Sequence, residues 1–157
     1  MDDRDEAFLR RAIEVARRSL QHGNMPFGAI LVDANGDVVL EAENTSITDH
    51  DPTGHAEANL MRMAGRLFEP DHLAGCTMYT SCEPCAMCAG AVYWVGVRRV
   101  VYALDILGLD EIVGDDPKNP TPHLRAQVVL QGGKYPIELD GPAALDEARA
   151  VHDGYWS

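Results

Sequence analysis

The stretch Tyr79-Thr-Ser-Cys-Glu-Pro-Cys-Ala-Met-Cys-Ala-Gly-Ala91, taken with His55-Ala-Glu57 upstream of it, decides the reading of this chain. Residues 76–80 are short and rich in β-branched and aromatic side chains, which predicts a buried strand, and residues 85–94 predict a helix. Pro84 sits at the junction, where its fixed φ suits the first helical turn and its missing N–H costs nothing. Cys85 and Cys88 then share the first turn and one face. Free backbone N–H groups and the positive end of the helix dipole favour thiolate there, the form that binds metal. His55 and Glu57 head a second helical pattern over residues 55–67. Two cysteines and a histidine make three ligands. Structural zinc sites close with four protein ligands, whereas catalytic ones keep three and leave the fourth position to water. Glu57 would lie beside that water.

Other uses of the cysteines compete with this reading. Cys82, Cys85 and Cys88 repeat every three residues, and with Cys76 they supply four thiolates for an iron–sulfur cluster or a closed zinc site. A ferredoxin run would continue to Cys-Pro, and a zinc ribbon would show a second separated Cys-x-x-Cys; neither is present. Cys82 precedes the predicted helix and Cys76 leads a strand, so both are expected as small buried hydrophobes. Disulfides are not expected, since nothing in the sequence marks it as secreted.

The 157 residues, 46% of them apolar, suit one domain spanning 1–157, with 142–157 as a terminal helix and tail. The acidic start, Met1-Asp-Asp-Arg-Asp-Glu6, lacks the basic and apolar regions of a signal peptide, and no apolar run is long enough to span a bilayer. A cytoplasmic protein with no membrane partner is expected. The formal charge of −12 opposes a polyphosphate partner. Arg10-Arg11, Arg17-Arg18 and Arg98-Arg99 are each diluted by nearby acids, so a small substrate is expected and no nucleic acid.

In chain order, residues 5–20 carry a helical apolar stripe, and residues 26–32 and 38–42 predict strands joined by a hairpin at Asn35-Gly36. Residues 44–54 predict a polar loop that delivers the chain to His55. Residues 69–72 predict a loop, and residues 99–103 a strand parallel to the preceding one through a helical crossover. The Asp-, Gly- and Pro-rich residues 105–121 predict a functional loop, residues 126–130 a last strand and residues 143–152 a final helix.

On these residues the chain resembles the cytidine-deaminase-fold enzymes, and among them bacterial guanine deaminases. The shared stretches are Pro26-Phe-Gly-Ala29, Asn44, Asp51-Pro-Thr-Gly-His-Ala-Glu57, Tyr79 to Cys88 and Gly90-Ala-Val-Tyr-Trp94; the pairing of His-x-Glu with Pro-Cys-x-x-Cys is the signature of zinc-dependent base deaminases. The resemblance implies an α/β fold, a three-layer αβα sandwich around a five-stranded mixed sheet. It implies one Zn2+ per chain held by His55, Cys85 and Cys88, with Glu57 as proton shuttle and Asn44 as a substrate amide. Phe27 and Trp94 match aromatics that flank the base, although aromatics in such places more often pack in a core. Asp116, and less directly Asp115, fall where guanine deaminases carry an acid that contacts substrate. Tyr155 is the nearest match to a tyrosine in a C-terminal tail that, in those enzymes, closes the pocket of a neighbouring subunit, which implies a homodimer. The implied reaction is hydrolytic conversion of a free nucleobase, guanine, to xanthine and ammonia. tRNA adenosine deaminase shares much of both motifs; Thr-Ser-Cys before Glu-Pro-Cys, Tyr-Trp after Gly-Ala and the acidic charge weigh against it. Guanosine, cytosine, a triazine or a pterin presents a similar amidine carbon and stays open as substrate.

Overall fold

A computed structural model describes residues 1–157. Its scaffold is a five-stranded mixed sheet in the order β2-β1-β3-β4-β5. Helix α1 (Asp3–Gln21) starts in a capping box in which Asp2 and Asp5 exchange side-chain-to-backbone bonds, and it buries Leu9, Ala12, Ile13, Val15 and Ala16. Strands β1 (Gly28–Val32) and β2 (Val38–Glu43) form the expected antiparallel hairpin through the five-residue connection 33–37. Asp33 Oδ1 accepts the N–H groups of Asn35 and Asp37, and Gly36 takes the positive φ the loop needs. At Gly28 the backbone of α1 comes so close that a Cβ would collide with Ala16 N and the Ala12 carbonyl oxygen.

Helix α2 (Ala56–Leu67) is followed by the short α3 (Pro70–Ala74), with Pro70 in its first turn, where a loop was expected. Strand β3 (Thr77–Cys82) pairs antiparallel with β1 and leads through α4 (Ala86–Val95) to the parallel strand β4 (Arg99–Leu104), as the crossover argument requires. The expected loop at 105–121 begins as helix α5 (Ile106–Val113), capped by Asp105, which accepts Gly108 N at 2.7 Å; the irregular part is 114–125. The expected strand at 126–130 is instead helix α6 (Ala126–Gln131), and the fifth strand is β5 (Glu138–Asp140), parallel to β4. The expected final helix shrinks to α7 (Asp146–Ala150).

Two cores flank the sheet. Successive residues of β1 point to opposite faces: Ile30 and Val32 join α1, α5 and α7 on one side, Ala29 and Leu31 join α2, α4 and α6 on the other. This explains why β1 reads as an unbroken apolar run. Arg99 ties the end of the sheet opposite the cleft to α1, with bonds of 2.7 and 3.0 Å to the Asp5 carboxylate, which also accepts from Tyr79. No helix is long and apolar enough to cross a membrane.

Candidate metal centre and active-site cavity

The starts of α2 and α4 meet at the carboxyl end of β3. His55 and Cys85 are the N-cap residues of these helices, in extended conformation and without a side-chain capping bond, so both side chains are free to turn toward each other. Cys88 follows one turn into α4. His55 Nδ1 lies 3.6 Å from each of the two sulfurs, and the three ligand atoms lie within 4.8 Å of one another. Zn–S bonds of about 2.3 Å and a Zn–N bond of about 2.0–2.1 Å around a tetrahedral ion place N and S about 3.6 Å apart. The triad therefore fits zinc, and it leaves one coordination position unfilled by protein. Cys76 and Cys82 are buried outside this triad.

Electrostatics agree with the geometry. Contact with Cys88 is the largest influence holding the Cys85 thiol down, to about 4, with His55 and the Cys88 backbone N–H assisting against burial. Cys88 is pushed up by the same contact and by burial. The imidazole of His55 is raised chiefly by Cys85. Cys85 and Cys88 would hold a divalent cation as thiolates, giving up the protons they share with each other and with His55.

Glu57, 5% exposed, lies in the first turn of α2, and burial pushes its carboxyl up. Thr80 Oγ1 lies 2.8 Å from its Oε1. Together with His55 and Cys85 it opens onto a cavity of about 520 Å³, also lined by Met25, Phe27, Asn44 and Ile106, and roofed by residues 117–122. Asn44 is 2% exposed, and its Oδ1 accepts from Ser46 N at 3.1 Å and Ser46 Oγ at 2.8 Å. A backbone N–H can only donate, so this bond fixes which amide atom is oxygen and leaves the Asn44 NH2 group, without a partner in the protein, for the cavity.

The other expected substrate contacts lie elsewhere. Trp94 is 84% exposed on the outer side of α4, edge-on to Tyr93, and does not reach the cavity. Asp115 is exposed, and Asp116 is buried but turned to its own chain: Oδ2 accepts both Ser157 N and Ser157 Oγ at 2.8 Å, and Oδ1 accepts Lys118 N. Those bonds hold the Asp116 carboxylate down to about 2. Tyr155 packs against Trp156 and Lys118 rather than lining the cavity, and the tail folds onto Phe27 and Asp116 of its own chain. Sequence reasoning passed over Glu83, whose carboxylate is buried between the cavity and three donors: Ile106 N and Ala126 N at 2.9 Å, and Arg125 Nε at 2.9 Å. It clasps the starts of α5 and α6 to the turn that delivers Cys85; its only trace in the sequence is a charged residue inside an apolar motif.

An open three-ligand metal centre, with a buried carboxylate beside the free position and a pocket above, defines a hydrolytic metalloenzyme. The chain belongs to the family of cytidine and deoxycytidylate deaminases, whose zinc-binding region matches residues 2–104. It is 36% identical over 156 residues to a probable cytosine deaminase of Schizosaccharomyces pombe, covering 99% of this chain and 94% of the relative. It is 40% identical over 112 residues to the guanine deaminase of Bacillus subtilis, 71% of each chain. The solved structure of a guanine deaminase from Nitrosomonas europaea superposes with a TM-score of 0.77 at 26% identity, over 94% of this chain and 81% of that one. The protein is thus a zinc-dependent hydrolytic deaminase.

Proposed function

We propose that the substrate is a free purine-type base, guanine, converted with one water to xanthine and ammonia. The observation that carries this reading is the constellation in the cavity: Glu57 beside the metal triad, a buried amide donor at Asn44, an aromatic wall at Phe27, and room for a bicyclic base. Zinc supplies Lewis acidity, lowering the pKa of a water it holds from 15.7 towards about 7. Glu57 takes the proton that this water gives up, passes it to the ring nitrogen beside the carbon bearing the amine, and then serves the departing amine. The Asn44 NH2 donates to a base carbonyl or ring nitrogen and fixes its orientation.

Cytosine is the second reading, favoured by one observation: the cytosine deaminase relative aligns along 99% of the chain, tail included, whereas the guanine deaminase relative aligns along 71%. Nucleic acid is disfavoured because five of the six paired arginines are spent on acids, Arg10 on Glu147, Arg11 and Arg18 on Glu41, Arg17 on Glu14 and Arg99 on Asp5, while Arg98 lies over the Tyr135 ring. Two zinc thiolates and two further free cysteines suit the reducing cytoplasm. Ammonia release from guanine, cytosine, guanosine, cytidine and a tRNA anticodon stem-loop tests the reading. Guanine should give the highest kcat/KM, with little dependence on salt. A higher value for cytosine replaces guanine by the second reading, and a steep fall with salt on RNA overturns the free-base reading.

We also propose a homodimer through the outer face of α4. That helix has no charged residue and is apolar all round, so the side that carries Met87, Gly90, Ala91 and Trp94 faces water without polar cover. The stripe holds both a knob, Trp94, and a shallow place to receive one, Gly90, with no atom within 4 Å of where its Cβ would be. A patch that carries both halves of a fit matches a second copy across a two-fold axis.

A further inference from the structure

Thr80 is 0% exposed, sits in the middle of β3 between its partners Ala29 and Tyr102, and does not line the cavity. Its hydroxyl meets two acceptors, Glu57 Oε1 at 2.8 Å and the Cys82 carbonyl oxygen at 2.9 Å. No other side chain bonds Glu57, whose own backbone N–H is the one further contact to its carboxylate, and Glu57 itself borders the cavity. A glutamate is a flexible arm that loses rotamer freedom when it is held in one orientation. Thr80, by contrast, is stiff at χ1 and held by a strand on each side.

We infer that Thr80 is a positioning residue for Glu57: its hydroxyl pins Oε1 from behind so that Oε2 is presented to the cavity in one orientation. The inference rests on the reading of Glu57 as the proton carrier. Its competitor is a purely structural role, in which the Thr80 hydroxyl serves only the Cys82 carbonyl and removing it weakens the end of β3 and the zinc loop.

The test compares T80V and T80A, which lack the hydroxyl, with T80S, which keeps it, alongside E57Q, all as zinc-loaded full-length protein assayed by ammonia release from guanine and from cytosine. Misplacing a catalytic group costs about 100-fold, so both hydroxyl-free variants should keep one zinc per chain and a KM within about twofold, while kcat falls about 10- to 100-fold. T80S should return to within about fivefold of the parent, and T80V should cost nothing more once Glu57 is already Gln. A crystal structure of zinc-loaded T80V should show the Glu57 carboxylate out of its parental rotamer, a readout independent of substrate. An unmoved carboxylate, a loss that is equal in the parental and E57Q backgrounds, or loss of zinc from T80V and T80A assigns Thr80 to structure and overturns the inference. Near-parental turnover in E57Q instead overturns the proton-carrier reading and the inference with it.

Discussion

Glu57, the thiolates and Glu83 do separate work, and substitution separates them. In the proposed reaction Glu57 carries a proton and it stands outside the metal triad, so Glu57→Gln should keep one zinc per chain while turnover falls by about two to four orders of magnitude. Cys85→Ala or Cys88→Ala should lose zinc in metal analysis, whereas Cys76→Ala and Cys82→Ala should keep it, since only the first two sulfurs face His55. Glu83→Gln keeps the volume but aims an NH2 group at donors. Burying that mismatch beside Arg125 should cost about 3 kcal/mol and lower Tm by about 6–12 °C. A Tm within about 2 °C of the parent would remove Glu83 as the clasp of the zinc turn.

At the scale of elements, the motif placed β3, α4 and the front of α2 correctly because each has a chemical marker at its boundary: Pro84, the cysteines and His55. Residues 126–131 carried no such marker. Val128 and Val129 argued for a strand, while the burial that decides the matter, Ala126 with Leu130 one helical turn on, became legible only once α4 was there to pack against. Three-residue β5 draws no assignment from the sequence, because an edge strand against β4 needs little side-chain cover. Trp94 was misplaced for the converse reason: α4 is apolar on every side, so its sequence does not say which side faces the cleft. The tail was visible as two aromatics near a polar end, but not its anchor on Asp116. His152 is that tail's hinge, 1% exposed, edge-on to Phe27, with Nδ1 accepting from Trp156 Nε1 at 3.1 Å. Burial holds its imidazole down to about 4, with Arg149 assisting. Because the unfolded chain binds this proton more readily, the contribution is complete above pH of about 6.5 and is lost as pH falls towards the folded value. Comparison of Tm at pH 7.5 and 5 should show a larger drop in the parent than in His152→Gln. A chain ended at Val151 should stay folded and hold zinc but lose most of its turnover, because the Phe27 wall and the roof formed by residues 117–122 lose their fastening; unchanged kinetics would mean that the tail only covers the core.

At the scale of the whole molecule, charge and the α4 stripe act together. With a net charge of −12, two copies repel over most of their surfaces, and an uncharged helix face is where that repulsion is least. The face continues from Trp94 through Tyr93 to Tyr135, which lies under the Arg98 guanidinium. Because α4 also carries Cys85 at its N-cap and Cys88 in its first turn, pairing along its outer side would brace the metal loop from behind. Trp94→Glu puts a carboxylate into the apolar recess at Gly90 of the second copy, twice per dimer, so it should give a monomer in sedimentation at concentrations where the parent is a dimer. The monomer should still bind zinc, since no ligand is touched, and its loss of activity should follow dissociation, being smallest at the highest protein concentration. Gly90→Leu is the independent check: filling the recess that would receive Trp94 should also weaken the dimer, although it adds apolar surface that would strengthen an unspecific contact. A parent that sediments as a monomer at every concentration, or a dimer indifferent to both changes, would remove α4 as the interface.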